Sequence, residues 1–576
     1  MRTVLIATTM AAVLVIAGIG YYRLGRSPQA PAVPTAALAC GPGLSAASAT
    51  TLAQWAQGAQ RFDGLGSFAR RVSTTSDEAQ QYFNQGMRYL WAFNHDESTR
   101  SFAKAAELDP QCAMCFWGAA LTVGPNYNLP FMAEPRAQVA YAAMQQAMQL
   151  AAGATPVEQA LIAALAQRYP NAQPLDPVTQ APVLSAYAGA MKAVAQQFPD
   201  DLDVQTLYAE SLMNINAWKL WSLDGTPAPG TETIIALLGG VLARDAQHPG
   251  ANHYLIHAVE ASPQPERGVA AAERLRGMMP AAGHLEHMPA HILQRVGRYA
   301  EAADANRKGA AADLAYFAKT KAPDYYAMYT GHNYQFLAFS TAMAGRKAET
   351  LEAARASRAV LPDAMLLAMP GVDWYIAHGY AAKLRFGLWD EMLAEPAPDA
   401  RLLGLRGGYL YARAVALAAK ARIAEAKQTL ADLEQLAQAT PADYGAGLNT
   451  AHDMFAIARL VAGARIAAAE AQPELALKLL REAVVLQDRS AYDEPEDWFF
   501  PVRHLLGANL LQAGQAAEAE QVYRRDLQLH PRNGWALFGL AQALKAQQKS
   551  AEAAAVEREF QASWREADVS LSASAF

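Results

Sequence analysis

Six of the twelve histidines in this 576-residue sequence fall within one short stretch, between His253 and His332. His253 and His257 are four residues apart, so on a helix they share one face, and Glu260 follows about one turn later. Neutral imidazoles held on rigid helices are ligands for zinc, copper, iron or nickel. The spacing therefore predicts the first part of a transition-metal site.

A second histidine group follows in the sequence GHLEHMPAH, where His284, His287 and His291 are separated by three and four residues. Proline is tolerated in the first turn of a helix, so Pro289 allows a helix that begins near Met288 and carries His291, with the other two histidines in the entry loop. A kinked helix that carries all three on one face is the alternative. Both geometries keep the three imidazoles close together.

A CxxC pair, Cys112 and Cys115, offers a different chemistry in the sequence DPQCAMCFWG. Phe116 follows the second cysteine where haem attachment requires histidine, so no c-type haem is predicted. Three interpretations stay open. They are a disulfide, which an oxidising compartment favours, a redox-active pair at a helix N-terminus, and a second soft-metal site completed by His95.

Helical periodicity dominates the sequence after residue 50, and no run of alternating polar and apolar residues predicts a sheet. In the clearest unit, residues 79–110, Gly86 lies on a first helix and Ser98 on a second. Both are small because the two helices must cross closely there. This spacing resembles the tetratricopeptide repeat, whose period is about 34 residues, and residues 500–531 form a second clear match. The predicted fold is all-α, a superhelical solenoid of tetratricopeptide-like helix pairs.

The repeat architecture predicts that histidines far apart in sequence come together. His253 and His257, then His291, then His332 fall in the first helices of three successive repeats, and first helices line the concave groove of such arrays. The predicted metal site comprises His253, His257, His284, His287, His291, His332 and Glu260. Copper, iron and zinc are the candidate metals.

Other side chains near these histidines bear on the choice of metal and on its chemistry. Met278, Met279 and Met288 are soft donors that favour copper. Glu286 is a further carboxylate that could serve as a hard ligand or a general base. The HExxH sequence is absent, so zinc-protease chemistry is not predicted.

Two interpretations without a metal also fit the histidine pattern. One is a polar groove that holds a peptide or an anion, and the other is a buried hydrogen-bond network. The isolated histidines are predicted to be structural, because single imidazoles in repeat helices usually pack or form hydrogen bonds. They are His95, His378, His452, His504 and His530.

The N-terminal residues 1–26 contain an uncharged run from Thr3 to Tyr22, flanked by arginines. About twenty apolar residues are just enough to span a bilayer as a helix. We expect an uncleaved membrane anchor or, as the alternative, a cleaved signal segment. Either places the body in the cell envelope, anchored to the inner membrane on its periplasmic side or free in the periplasm.

Composition and periodicity divide the chain into six parts. They are a membrane anchor or signal segment at 1–26, a flexible Pro/Ala-rich tether at 27–50, N-terminal helical repeats at 51–240, His-rich central repeats at 241–365, C-terminal helical repeats at 366–565 and a disordered tail at 566–576. The acidic sequence DEPED at 493–497 is predicted to be a solvated turn. Residues 126–128 are predicted to form another turn, with a place in the groove as the alternative.

Five stretches of sequence carry a resemblance to a known family and together span most of the chain. They are FNHDESTRSF (93–102), DPQCAMCFWGAALTVGPNYN (109–128), HPGANHYLIHAVEASP (248–263), AGHLEHMPAHILQRVGRY (282–299) and YDEPEDWFFPVRHLLG (492–507). With these stretches the body of the chain resembles a family of bacterial exported tetratricopeptide-repeat proteins, mostly of unassigned function. The resemblance implies a fold but little chemistry.

Charge and missing motifs argue against several classes of function. A net charge of −6 provides no basic surface, so no nucleic-acid partner is predicted. No phosphate-binding GxxxxGK[ST] or GxGxxG motif and no GxSxG motif occurs, so no nucleotide cofactor and no α/β-hydrolase chemistry is predicted.

Three functional hypotheses remain. The first is a metalloprotein, in which open coordination positions would mark an enzyme and a filled shell would mark storage or structure. The second is a periplasmic interaction scaffold that holds a protein or peptide in its concave groove without a metal. The third is a thiol–disulfide partner that acts through Cys112 and Cys115.

Overall fold

The computed structural model describes residues 49–175, 180–320 and 326–576, and within these ranges the chain is predominantly helical. The expected anchor at 1–26 and nearly all of the expected tether at 27–50 lie outside the described residues. Within the described ranges, no helix combines the length and the apolar character that a membrane span requires.

The helices follow one another along the whole described chain. The first nine are α1 (Leu52–Ala56), α2 (Asp77–Trp91), α3 (His95–Leu108), α4 (Ala113–Val123), α5 (Glu134–Leu150), α6 (Pro156–Ala166), α7 (Ala181–Gln197), α8 (Leu202–Met213) and α9 (Thr231–Arg244). The central ones are α10 (Pro249–Val259), α11 (Val269–Leu275), α12 (Gly283–His287), α13 (Pro289–Arg295), α14 (Tyr299–Lys319), α15 (Ala327–Met343) and α16 (Lys347–Val360).

The C-terminal part continues the same architecture. Its helices are α17 (Asp363–Ala368), α18 (Asp373–Arg385), α19 (Trp389–Leu393), α20 (Leu403–Ala419), α21 (Ile423–Ala439), α22 (Ala451–Ala469), α23 (Pro473–Gln487), α24 (Val502–Gln512), α25 (Ala516–Leu529), α26 (Gly534–Ala546) and α27 (Ser550–Ser563). Single 3-10 turns occur at Ala151–Gly153, Asn214–Asn216 and Pro265–Gly268. A two-residue antiparallel hairpin joins β1 (Gly445–Ala446) to β2 (Asn449–Thr450), with Gly445 opposite Thr450.

Small residues allow the paired helices to cross closely. In the pair α2/α3, a Cβ atom on Gly86 would lie 2.7 Å from the ring of Phe102, so only glycine fits there. Ser98 Oγ donates a 2.6 Å hydrogen bond to the carbonyl oxygen of Gly86. Both observations confirm the predicted crossing, and the all-α class of tetratricopeptide-like helix pairs is likewise confirmed.

The hydrophobic core divides between the two halves of the described chain. One large cluster is drawn from residues between Trp55 and Ile292 and a second from residues between Met328 and Ala553, and smaller clusters, such as that of Leu293 with Phe336, are separate from both. Contacts such as that of Phe339 with Phe499, at 5.4 Å between ring centroids, connect the central repeats to the C-terminal ones. The central repeats, which carry the histidines, are therefore held from both sides.

The predicted disordered tail at 566–576 is instead packed against the repeats. Both carboxylate oxygens of Asp568 accept hydrogen bonds from backbone N–H groups at the start of α16. Ser574 Oγ donates to the carbonyl oxygen of His504 at 2.7 Å, and the Phe576 ring contacts Trp535 at 5.9 Å. The sequence-based prediction is wrong because these contacts, with groups far away in sequence, leave no local pattern.

Candidate metal centre

All six histidines of the predicted site lie together in the interior, each at most 3% exposed. Their rings form a continuous chain of neighbours. The centroid separations are 4.9 Å for His253–His257, 5.0 Å for His253–His284, 5.8 Å for His284–His287, 5.8 Å for His257–His291, 4.7 Å for His287–His291 and 4.9 Å for His287–His332. The ligand atoms fall into two groups of three histidines, and within each group they lie within 4.8 Å of one another.

The first group contains His253, His257 and His284. The Nδ1 atom of His253 donates to the carbonyl oxygen of Trp91 at 2.6 Å, and Nδ1 of His257 donates to Glu260 Oε1 at 3.0 Å. Because these acceptors hold a proton on Nδ1, a ring in its neutral form carries a lone pair on Nε2. Both Nε2 atoms, and both ring nitrogens of His284, are buried and have no hydrogen-bond partner among the described residues.

Local sequence explains how helix α10 presents two of these rings. Pro249 occupies the first turn, and His248 Nδ1 caps the helix by accepting from the Ala251 N–H at 3.1 Å. Gly250 lets the helix approach α2, since a Cβ atom there would lie 2.4 Å from the Trp91 ring. This close approach brings the Trp91 carbonyl to His253.

The second group contains His287, His291 and His332. The His287 Nδ1 atom donates to Asn306 Oδ1 at 2.6 Å, which leaves its Nε2 atom, 2.8 Å from Nε2 of His291, as an acceptor. Gly309 allows α14 to pack tightly here, because a Cβ atom on it would lie 2.9 Å from the Cβ of His287. Asn306 and Gly309 thus position the ring, and the sequence alone did not identify either residue.

The segment around Pro289 follows the second of the two predicted geometries most closely. The short helices α12 and α13 are separated only by Met288, whose backbone is itself right-handed helical. The kink keeps His284 and His287 in the first helix and His291 in the second. All three rings therefore reach the same cluster.

Two carboxylates converge on His291 and form a third candidate ligand group. The Nδ1 atom of His291 lies 2.9 Å from Glu260 Oε2 and 2.9 Å from Glu494 Oε2. Glu260 also binds His257, so this carboxylate links the two histidine groups. Glu260, His291 and Glu494 together offer three buried ligand atoms within 4.8 Å of one another.

Glu494 is the principal ligand candidate that sequence reasoning missed. The DEPED sequence at 493–497 was predicted to be a solvated turn, and this prediction is wrong: Asp493, Glu494 and Asp497 are each at most 3% exposed. Buried carboxylates require partners, and His291 is the partner of Glu494. The sequence did contain one signal of this burial, which is a dense acidic run placed directly before the aromatic Trp498.

The pKa of His291 is shifted in the opposite direction from the pKa values of four other histidines of the cluster. Burial disfavours the charged form of every ring, and together with the adjacent imidazoles it holds the pKa of His253, His284, His287 and His332 well below the usual range. Burial acts on His291 too, but Glu494 and Glu260 outweigh it and raise its pKa to about 10. Four rings are thus neutral and ready to ligate, while His291 carries a proton that a metal would displace.

The carboxylates titrate in opposite directions. Burial favours the protonated acid in both, but His257 and His291 lower the pKa of Glu260 to about 2. Burial dominates at Glu494 and raises its pKa to about 7, although His291 opposes the shift. Glu260 is therefore the permanent negative charge of the cluster.

Aromatic side chains enclose the cluster. Phe93 packs against His253 at 4.5 Å and stacks on His284 at 5.6 Å between ring centroids. Tyr127 lies 5.2 Å from His257, and Phe336 lies 4.9 Å from His291. Tyr127 belongs to the segment predicted to form a turn or a wall of the groove. The cluster is a sealed interior site, where the sequence predicted an open concave groove.

The other predicted ligands lie elsewhere. Met278 and Met279 line a cavity beside His248, which contains none of the six clustered histidines. Glu286 belongs to none of the ligand groups found among the described residues. The prediction that Met278 and Met279 lie beside the cluster and favour copper has no support in the geometry.

The cysteine pair is closed as a disulfide between Cys112 and Cys115. Both residues are fully buried at the start of α4. Within the described ranges, His95 shares no ligand group with them. Four of the histidines predicted to be structural form hydrogen bonds: His378 with Gln335, His452 with Thr440, His504 with Asp526, and His530 with Asp526 and Glu496.

Comparisons with known proteins concern the architecture alone. No protein-family model and no curated protein matches the chain. The human IFIT1 dimer with m7Gppp-AAAA is 11% identical, with a TM-score of 0.30, over 85% of this chain and 91% of that one. Yeast Tom70 is 12% identical, with a TM-score of 0.28, over 84% and 93% of the two chains. The APC/C hetero-tetramer Cut9–Hcn1 is 12% identical, with a TM-score of 0.25, over 81% and 90%.

Proposed function

We propose that this protein binds transition-metal ions in its buried histidine cluster, with one ion in each three-histidine group and Glu260 between them. One observation carries the proposal: the Nε2 atoms of His253 and His257 and both ring nitrogens of His284 are buried together and have no hydrogen-bond partner in the part of the chain that the structure describes. An unsatisfied buried polar atom costs about 1–3 kcal/mol. A single ion with metal–nitrogen distances of about 2.0–2.1 Å would satisfy one nitrogen on each ring.

The surroundings of the ligands also support a metal. In metalloproteins a ligating imidazole usually donates its other N–H to a carboxylate or a backbone carbonyl, which fixes its orientation. His257 does so to Glu260 and His253 to Trp91. An imidazole donor set suits copper, zinc, iron or nickel. With three protein ligands in the first group, a fourth coordination position remains for a small ligand, as catalysis requires.

Elemental analysis tests the proposal directly. The protein is purified, stripped with a chelator and reconstituted separately with copper, iron and zinc. We expect about two equivalents of one metal. The His253→Gln/His257→Gln/His284→Gln variant should lose about one equivalent. The matched control is His452→Gln, because His452 lies outside the cluster and, among the described residues, hydrogen-bonds to the Thr440 carbonyl oxygen alone.

Two results would contradict the proposal. A folded wild-type protein that binds none of the three metals would show that the cluster is a structural hydrogen-bond network. Equal metal loss in the control and in the triple variant would show that binding is not localised to these rings. Circular dichroism of each variant establishes that the loss of metal is not a loss of fold.

Binding of a protein or peptide is the second candidate function. The observation that favours it is the tetratricopeptide-like array of helix pairs itself, which presents extended surfaces beyond the sealed cluster. Because fold alone does not assign a partner, this candidate becomes the leading one if the elemental analysis finds no metal.

A location in the cell envelope is part of the proposal. It is supported by the uncharged run Thr3–Tyr22 and by the Cys112–Cys115 disulfide, a bond typical of oxidising compartments. Alkaline phosphatase fused after residue 50 tests it, since that enzyme is active only after export. An inactive but stable fusion would contradict the envelope location without affecting the metal proposal.

A further inference from the structure

A cleft in the C-terminal repeats is distinct from the histidine cluster. It has a volume of about 110 Å³ and lies between α18, α20 and α22, with the segment 497–502 and the end of the chain at its rim. Besides Phe576 at its rim, six phenylalanine, tyrosine and tryptophan side chains line it: Trp374, Trp389, Tyr411, Trp498, Phe499 and Phe500. We call it the aromatic cleft. A ligand here would be surrounded by flat, apolar surfaces.

Two guanidinium groups also line the aromatic cleft. Arg385 is only 7% exposed, and its Nη1 atom hydrogen-bonds to His504 Nδ1 at 2.9 Å. Its Nε and Nη2 atoms are buried and have no hydrogen-bond partner among the described residues. Its guanidinium carbon lies 3.7 Å from the Trp535 ring centroid and 4.8 Å from that of Phe500. Two unsatisfied donors are thus held in place at the cleft.

Arg465 supplies the second positive charge. Its guanidinium carbon lies 5.6 Å from the Trp389 ring centroid. Within the described ranges it forms no ion pair or hydrogen bond. A desolvated guanidinium normally has an anionic partner.

The one side-chain carboxyl group among the described residues that line the cleft, that of Asp497, does not balance these charges. Oδ2 of Asp497 already accepts hydrogen bonds from Asn449 Nδ2 at 2.7 Å and from the Leu448 N–H at 3.1 Å. Burial and the adjacent Asp493 carboxyl raise the pKa of Asp497 well above its usual value, which favours the neutral acid. Among the described residues, no side-chain carboxylate that lines the aromatic cleft forms an ion pair with Arg385 or Arg465.

We propose that the aromatic cleft binds a small aromatic carboxylate, with its ring against the tryptophan and tyrosine side chains and its anionic group at Arg465 and the free donors of Arg385. The volume of about 110 Å³ limits the ligand to a single ring, since a cavity of about 150 Å³ holds one benzene molecule in another protein. The charge complementarity selects an anion over a neutral or cationic aromatic compound. The Phe576 ring, which lies at the rim, shows that this surface accommodates an aromatic group. The inference is independent of the metal proposal.

Fluorinated single-ring compounds test the inference on the full chain. Fluorine NMR titrations compare 4-fluorobenzoate with the neutral 4-fluorobenzamide and the cationic 4-fluorobenzylamine. We expect saturable binding of the benzoate, and at least tenfold weaker binding of the other two. Arg465→Gln should weaken benzoate binding at least tenfold and abolish the preference over the amide.

The matched control is Arg459→Gln, on the same helix. Arg459 is exposed and pairs with Glu434 at 3.6 Å, outside the cleft, so its loss should leave binding within twofold. Ala381→Leu is a second variant, because it fills the cleft without removing a charge, and it should also weaken binding. The proposal is overturned if the wild-type protein shows no saturable binding, if the amide binds as tightly as the benzoate, or if Arg459→Gln weakens binding as much as Arg465→Gln. If Arg465→Gln does not fold, undiminished binding to Ala381→Leu overturns it.

Discussion

Replacing Glu260 by glutamine tests whether the two histidine groups act as one centre. Glu260 is 2% exposed, and its two oxygens contact one histidine of each group, at 3.0 Å and 2.9 Å. Glu260→Gln keeps the shape and removes the charge. Losing a carboxylate that orients a ligating histidine typically weakens metal binding by about 10- to 100-fold, which equals about 1.4–2.7 kcal/mol.

The same substitution also affects the metal-free protein. It leaves His291 with one fewer carboxylate, and breaking a buried ion pair costs on the order of 3 kcal/mol. The pKa of Glu260 is lowered to about 2, so its stabilising contribution is fully present above the unfolded value of about 4.5 and is lost as the pH falls through about 2. Glu260 also helps to raise the pKa of His291 to about 10, and that contribution to stability is fully present below about pH 6.5 and is lost as the pH rises towards 10. The loss of stability in Glu260→Gln should therefore be larger at pH 6 than at pH 8.

Competition with a chromophoric chelator measures the metal affinity, and thermal unfolding with and without metal measures the stability. Glu286→Gln is the matched control, because Glu286 is also a buried carboxylate on the histidine segment but belongs to no ligand group among the described residues. If Glu260→Gln binds metal within twofold of the wild type, or if both variants weaken binding equally, the bridging role assigned to Glu260 is refuted.

Two further predictions concern stability and packing. Burial lowers the pKa of His378 to about 3 and of His504 to about 4. Below about pH 6.5 the unfolded chain therefore takes up protons on these rings and the folded chain does not. Metal-free protein should accordingly unfold at a lower temperature at pH 5 than at pH 7.5. The dependence should be shallower in His378→Gln, and an unchanged slope would contradict this assignment. Gly250→Ala would place a Cβ atom 2.4 Å from the Trp91 ring, so denaturant unfolding should show a loss of about 1–3 kcal/mol. Gly239→Ala meets nothing within 4 Å and should be neutral or stabilising; equal losses in the two variants would refute the packing argument.

The fold was accessible from the sequence because its determinants are local. The small residues Gly86 and Ser98 mark a helix crossing, and the structure places the Phe102 ring directly at that crossing. The same pattern recurs at Gly507, where a Cβ atom would lie 2.3 Å from Tyr523. Such patterns recur with the repeat period and are therefore recognisable without a structure.

The candidate site was accessible only in part. Spacing on helices was enough to group His253 with His257. The repeat order was enough to bring His332 into the same cluster, where it lies beside His287 and His291. Glu494 was not accessible, because its loop reaches the cluster from a distant repeat and an acidic run normally indicates exposure. The metal hypothesis placed the histidines in an open groove. Their burial depends on aromatic residues such as Phe93, whose role appears only after the helices pack.

The contact between His291 and Glu494 has a consequence for how the molecule assembles. In a simple repeat array each unit touches only its neighbours, so folding can start anywhere and stop anywhere. Here a ligand group is completed by Glu494 from a distant repeat, which is synthesised after all six histidines of the cluster. A metal ion held by this group would therefore have all of its ligands only after the segment that carries Glu494 has packed against the central repeats. The bound ion would then join two parts of the array that are far apart in sequence.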